Sequence, residues 1–257
     1  MIKLKNTKLF WDERFRKYGK SSTGYTDEII HKFDDKIRWY SFLREGNLKR
    51  GQVILDAGCN HGAWSIRLAK MGLKVTGIDL IKEAIEVAKI NADKESVDVE
   101  FKTIKVEDIN FTKNKFDKII SITVMQHILE DNLFLVALNK FQSQLKKGGK
   151  LILIESAPNK MIVEKLPYKR ERTLKTHIAL FNKAGFKLKK VRGINHLSVR
   201  WYYIIEHFKI SKKIKRLIQY PGLLILNPID IFFTKFSCLA KYSNLKLMVF
   251  EKNEGEI

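Results

Sequence analysis

Short apolar runs, each closing on a polar residue or a turn, alternate along most of this chain with segments whose apolar positions recur every three to four residues. Val53-Ile54-Leu55-Asp56 is the first run and predicts a buried strand. The small-residue turn Ala57-Gly58-Cys59-Asn60-His61-Gly62 follows it and opens a helix from Ala63 to Met71. Lys74 to Asp79 predicts a second strand, Asp98 to Ile104 a third and Phe116 to Ile122 a fourth. A helix is expected from Asn132 to Leu145, closed by a C-cap turn at Lys146-Lys147-Gly148-Gly149. Lys150 to Glu155, Lys187 to Val191 and Asn244 to Glu251 bring the number of strands to seven. Strand and helix alternate over residues 51 to 192, which predicts an α/β fold: a mainly parallel sheet with helices on both faces and right-handed crossovers.

Two regions stand outside that alternation. Residues 1 to 50 read as mostly helical and mix aromatic with charged positions: Phe10, Trp11, Phe15, Tyr18 and Tyr25, then Phe33, Arg38, Trp39 and Tyr40. Residues 193 to 243 interrupt the last two strands, leaving 244 to 257 as the final strand and a tail. In the insertion, residues 207 to 220 hold Lys209, Lys212, Lys213, Lys215 and Arg216 without an acid; Lys209, Lys212, Lys213 and Arg216 have near-helical spacing and leave Phe208, Ile210, Ile214, Leu217 and Ile218 for the other side, a basic amphipathic pattern. After it come Pro221-Gly222 and apolar runs too short and too interrupted by Pro and Asp to span a bilayer. The apolar face is expected to pack on the domain as a wall of an acceptor pocket; the alternative is an anionic membrane surface met through residues 207 to 233.

A strand-to-helix turn such as 53 to 62 presents backbone N–H groups and a helix N-terminus to the crevice at the end of the sheet. The acid at the strand end selects the ligand. Asp56 would repel a pyrophosphate and welcome a cationic amino-acid end. This segment resembles motif I of the class I S-adenosylmethionine (SAM)-dependent methyltransferases, and the later segments follow that family's order. The resemblance covers residues 51 to 155 and, more weakly, the C-terminal third. It implies a Rossmann-like, three-layer, seven-stranded sheet whose last strand runs antiparallel, forming a hairpin with the strand at 187 to 191. It also implies a SAM site. Asp56, Gly58, Cys59, Asn60 and Gly62 form the loop, with Asn60 standing where the family usually has glycine. Asparagine is the residue next best suited to a left-handed turn. Asp79 would accept the ribose hydroxyls and Leu80 would cover the adenine. Glu107, Asp108 and Ile109 would meet the adenine amino group and ring nitrogen, with Ser121 and Met125 bounding the fourth-strand segment. In such enzymes the N-terminal segment often forms a lid; here the alternative is that its aromatics pack helices onto the sheet. Arg38 is a candidate partner for the SAM carboxylate, with a surface salt bridge as the other reading.

Methyl transfer from a sulfonium needs an in-line arrangement, and a hydroxyl acceptor gains from a general base. His127, after the fourth strand, is the leading candidate, against the alternative that it only orders the turn. His177, His196 and His207 are weaker candidates, and His61 belongs to the cofactor turn. The Asn/Asp-Pro-Pro-aromatic run of base N-methylating relatives is absent, with Ser121-Ile122-Thr123-Val124 in its place. No cluster has metal-ligand spacing, so no metal is expected.

Composition adds little. Cys59 and Cys238 are the only cysteines and Met1 to Asn6 lack an apolar run, so a reducing cytoplasm is expected and a signal peptide is not. The net charge of +21 suits nucleic acid, an anionic membrane or an acidic substrate, and equally a compositional bias toward lysine. The expected function is SAM-dependent O-methylation of a small molecule, a sugar or a glycan- or lipid-linked intermediate. The lid and the insertion loosely resemble methyltransferases of cell-surface polysaccharide synthesis. RNA methylation and SAM binding without turnover are the alternatives.

Overall fold

The computed structural model describes residues 7–19, 27–161 and 168–253, so Tyr25 lies outside the described residues. Seven strands form one sheet: β1 (Val53–Ala57), β2 (Lys74–Asp79), β3 (Glu100–Thr103), β4 (Phe116–Ile122), β5 (Leu145–Ser156), β6 (Phe186–Ile194) and β7 (Leu245–Lys252). Their spatial order is β3-β2-β1-β4-β5-β7-β6. β1 to β5 pair in parallel, and β7 slots antiparallel between β5 and β6, as the sequence led one to expect. The order reverses between β1 and β4, and a crevice opens beyond the carboxyl ends of the strands at such a point.

Successive residues of each central strand feed opposite faces of the sheet. Leu55, Ile119 and Leu151 join one core with Phe134, Phe141 and Phe181, contributed by α5 (Asp131–Gln144) and α6 (Leu174–Lys183). Ile54, Ile120 and Ile152 join the other with Ile37 and Phe42 of α2 (Glu28–Gly46). Helices α3 (Ala63–Lys70) and α4 (Lys82–Lys94) complete the crossovers, and α1 (Thr7–Tyr18) precedes them all.

The turn expected at 146 to 149 falls inside β5, as a bulge after its first residue. α5 stops at Gln144, and Leu145 is already paired with Phe116 in the β4–β5 ladder. Both side chains are fully buried, whereas residues 146 to 149 bulge out of the ladder, which resumes at Lys118 and Lys150, and Gly148 there takes φ +67°.

The insertion departs further from expectation. It forms α7 (Ser198–Glu206) and α8 (Lys212–Phe233), and α8 continues through both Pro221 and Pro228. A proline inside a helix frees the carbonyl four residues earlier. Here those are Leu217 and Leu224, on exposed stretches where water can replace the lost bond. The apolar face does not pack on the domain. The buried positions of α8 are Gln219, Leu223, Asn227 and Asp230, three of them polar. Asp230 accepts from the backbone N–H groups of Leu197 and Ser198 (both 2.8 Å), capping α7. Asn227 Nδ2 donates to the Phe33 carbonyl at 2.9 Å, and Gln219 Nε2 to Glu206 Oε1 at 2.8 Å.

α7 and α8 meet closely at Gly222, where a Cβ would stand 2.0 Å from Nε1 of Trp201. Gly222→Ala gains about 1 kcal/mol of helix propensity and loses about 1–3 kcal/mol to overpacking. Net destabilisation is therefore expected, read as a lower unfolding midpoint in urea; an unchanged or raised midpoint would show that the Trp201 ring is free to move aside.

Candidate active site at the carboxyl ends of β1, β2 and β4

The turn after β1 is held by its own backbone. Gly58 and Cys59 N–H groups both donate to the Ile78 carbonyl, at 2.8 and 2.9 Å. Gly58 has φ +84° and a Cβ there would lie 2.1 Å from Val124 Cγ2, so only glycine lets the β1 and β4 loops approach. Asn60 takes φ +49°, the left-handed conformation that asparagine tolerates. Its Oδ1 accepts from the His61 N–H at 2.6 Å, which turns that oxygen back onto the loop. Asp79 braces the same turn: Oδ2 accepts from Asn60 N–H at 2.9 Å and Oδ1 from Ile81 N–H at 3.0 Å. Burial raises the Asp79 pKa above the ordinary carboxylate range.

These elements border a cavity of about 370 Å³, within the range of small-ligand sites. Gly58, Asn60, Asp79, Leu80, Glu107 and His127 line it, so six sequence-predicted residues meet in one place. Ile81, Ile104, Val106, Ile122, Val124 and Ile128 supply apolar walls. Trp11 and Phe15 of α1 close one side, and Lys8 lies with them. Trp11 meets the His127 ring edge-on at 4.6 Å, and Phe10 stacks on Tyr168 at 4.4 Å. The N-terminal aromatics thus divide. Those of α1 cover the cavity, whereas Trp39 and Phe42 of α2 pack with Trp64 to hold α2 on α3.

Other predicted residues lie away from the cavity, each for a physical reason. Asp56 is buried beneath the turn, where it accepts from Ser65 Oγ at 2.6 Å. Desolvation, the largest influence, pushes its pKa up to about 7. Cys59 is buried; desolvation, with Asp56 and Asp79 adding to it, raises its thiol pKa, so the thiol stays protonated. Gly62 packs under Phe101 as the N-cap of α3. Ile109 and Met125 are fully buried in the core, Ser121 is buried within β4, and Asp108 ends a short 3-10 turn whose Val106 and Glu107 face the cavity instead. Arg38 pairs with Asp34 at 2.7 Å and does not reach the cavity. His177 packs against Phe134 and Phe181, and desolvation lowers its pKa to about 4. His196 is buried beside Gly193, His207 is exposed at the end of α7, and His61 belongs to the loop backbone. No residue of 193 to 243 lines the cavity. Among the described residues no group of three or more His, Cys, Asp and Glu is placed to hold a metal.

Glu155, near the end of β5, is a supporting residue that the sequence reading does not single out. Its Oε1 accepts from the N–H groups of Val124 (2.7 Å) and Met125 (2.8 Å), fixing the turn that carries His127. Thr123 in that turn has φ +55°, a strained conformation for a β-branched residue. The signal was in the sequence, since Glu155 ends an apolar strand as Asp56 and Asp79 do. Tyr168, whose carbonyl lies 2.7 Å from His127 Nδ1, carried no such signal.

A family model described as a methyltransferase domain matches residues 48–222. The chain belongs to this family. It is a class I SAM-dependent methyltransferase domain, and SAM is its cofactor. The site suits that group: a carboxylate at the end of β2, an acceptor for ribose hydroxyls, faces a cavity walled by aliphatic side chains that can flank a base. The methyltransferase fold is also clear from solved structures. The phosphoethanolamine N-methyltransferase 2 of Haemonchus contortus is 18% identical with a TM-score of 0.66, covering 99% of this chain and 62% of that one. The [4+2]-cyclase SpnF is 18% identical with a TM-score of 0.61 over 85% of this chain and 81% of its own. Among curated proteins, the ubiquinone biosynthesis O-methyltransferase of Nitrosococcus oceani is 33% identical over 111 residues, 43% of this chain and 46% of that protein. That of Bartonella quintana is 34% identical over 96 residues, 37% of this chain and 38% of that protein. The chain therefore matches less than half the length of either relative.

Proposed function

We propose that this methyltransferase methylates a hydroxyl oxygen on a small, largely apolar acceptor, with a phenol or enol as the favoured class. The observation that supports this most directly is the pairing of His127 with an apolar wall at the end of β4. Trp11, Phe15, Leu129 and Leu133 line that side of the cavity. The named activity of the ubiquinone-pathway relatives points the same way, although they match only in part.

When bound, SAM supplies an electrophilic methyl group on a sulfonium. Asp79 would hold the ribose, Leu80 and Val106 would flank the adenine, and the loop at Gly58 and Asn60 would receive the amino-acid end. His127 handles the proton. A carbonyl only accepts, so the bond to Tyr168 places the proton on Nδ1 and leaves Nε2 as the acceptor. Gln126 Nε2 lies 3.2 Å from that nitrogen and competes for its lone pair. Desolvation, the largest influence, lowers the His127 pKa to about 4. The ring is therefore neutral at pH 6–8 and can accept, but it is a weak base. It serves best when proton loss accompanies oxygen methylation, because the oxygen becomes strongly acidic as its new C–O bond forms. An acidic hydroxyl eases the same step.

The test is an acceptor screen with labelled SAM, using an alkylated catechol, a nucleotide sugar and an unmodified RNA, with the product oxygen placed by mass spectrometry. His127→Ala is expected to lower kcat by about ten- to a hundredfold while SAM affinity stays nearly constant. The wild-type kcat/KM should show no inflection from His127 between pH 6 and 8, since a base with lowered pKa is already deprotonated there. A kcat unchanged by His127→Ala would reduce this residue to ordering the turn. Methylation of RNA alone would replace the acceptor class.

A further inference from the structure

α8 is turned inside out for a helix on a water-soluble body. Its inner face carries Gln219, Asn227 and Asp230, all occupied by hydrogen bonds to α7 and α2. Its outer face carries Ile214, Leu217, Ile218, Ile225, Ile229 and Phe232, which recur at helical spacing and are all exposed. Leu217 and Ile225 keep 68% and 66% of their surface open, more than incidental apolar exposure at two positions of one stripe. The stripe continues beyond the helix through Phe236, whose ring lies 5.3 Å from that of Phe232. Because the polar inner face is committed to structural bonds, rolling the helix to bury its apolar side would break them. The outer face needs a partner of its own.

Charge identifies that partner. Lys209, Lys212, Lys213 and Arg216 are exposed at one end of the stripe and Lys235 at the other. No acidic residue occurs from 207 to 229. A second copy docking by this face would set two acid-free basic rims against each other. An anionic bilayer surface would accept the stripe into its acyl boundary and the lysines into its headgroups. Among the described residues no helix is long and apolar enough to cross a membrane, so the contact is with one face of the bilayer. The geometry points to α8 as an in-plane anchor that docks this domain on anionic lipid.

This inference does not rest on the proposed acceptor, and its test uses neither SAM nor turnover, so either can fail alone. The full chain would be co-sedimented with vesicles of phosphatidylcholine alone and of phosphatidylcholine mixed with phosphatidylglycerol. Binding to the mixed vesicles is expected to be at least about tenfold tighter and to weaken with salt. Leu217→Glu with Ile225→Glu should reduce it by at least about tenfold. Both positions are exposed, so the melting curve should be unchanged. Replacing Lys209, Lys212, Lys213 and Arg216 by Gln should abolish the preference for anionic vesicles. Absence of wild-type binding, or binding indifferent to the double substitution, would overturn the proposal. So would a wild-type dimer that the double substitution splits while no vesicle is bound, since a second copy would then cover the face.

Discussion

Asp79→Ala is expected to weaken SAM binding by about a hundredfold, and Asp79→Asn by about tenfold, in a calorimetric titration. The carboxylate has about four lone-pair sites, and the Asn60 and Ile81 N–H groups take two. The others remain for ribose hydroxyls. A hydrogen bond to a charged group contributes about 1.5–3 kcal/mol, so losing two removes several kcal/mol of gross binding, part of which solvent returns. Asparagine keeps one acceptor oxygen and much of the turn. Burial also sets a pH dependence. Because the Asp79 pKa is raised, the proton that blocks its acceptor role binds at a higher pH than in an ordinary carboxylate. SAM affinity should therefore fall on acidification sooner than an ordinary carboxylate would make it, and Asp79→Asn should lose that dependence. Undiminished affinity in Asp79→Ala would remove Asp79 from the cofactor site.

The fold was largely legible because the strands are short apolar runs punctuated by acids and glycines, and each punctuation mark has one steric meaning. Gly58 at φ +84° and Asn60 at φ +49° are where a turn requires left-handed backbone, and residue type alone identifies such places. Periodicity, by contrast, says that a helix has two faces without saying which one is buried. For α8 the bonding capacity of Gln219, Asn227 and Asp230 decided the matter, and their partners on α2 and α7 are distant in sequence. The candidate site divided along the same line. Side chains at strand ends, such as Asp79, lie on the cavity rim. Asp56 does not, because Ser65, nine residues on in α3, holds its carboxylate beneath the loop. Arg38 was captured likewise by Asp34, four residues earlier on the same helix. In both cases a partner supplied by the fold, across the β1–α3 turn for Asp56 and along α2 for Arg38, sets where the side chain lies.

Glu155 is expected to be the most consequential of the residues that touch no ligand. Glu155→Ala leaves the buried N–H groups of Val124 and Met125 without their acceptor and opens a cavity beneath the turn. Two orphaned donors cost about 1–3 kcal/mol each, so a loss of about 3 kcal/mol in unfolding free energy is expected. kcat should fall as well, because the strained Thr123 backbone and the His127 ring depend on that turn. Glu155→Gln should behave oppositely, since its carbonyl can still accept and it carries no charge. Desolvation pushes the Glu155 pKa up to about 7, so between about pH 4.5 and 7 the folded chain holds a proton that the unfolded chain has released. Folding stability from this group is then present at low pH and declines as pH rises through that window. Asp56, also raised to about 7, contributes a decline of the same sign. Urea titrations between pH 5 and 7.5 should show the wild type losing stability with rising pH. In Glu155→Gln the slope should be shallower by up to about 1 kcal/mol per pH unit, with catalysis retained. A slope identical in the two proteins would mean that Glu155 ionises normally, and that the turn beneath His127 is held by a charged rather than a largely neutral carboxyl.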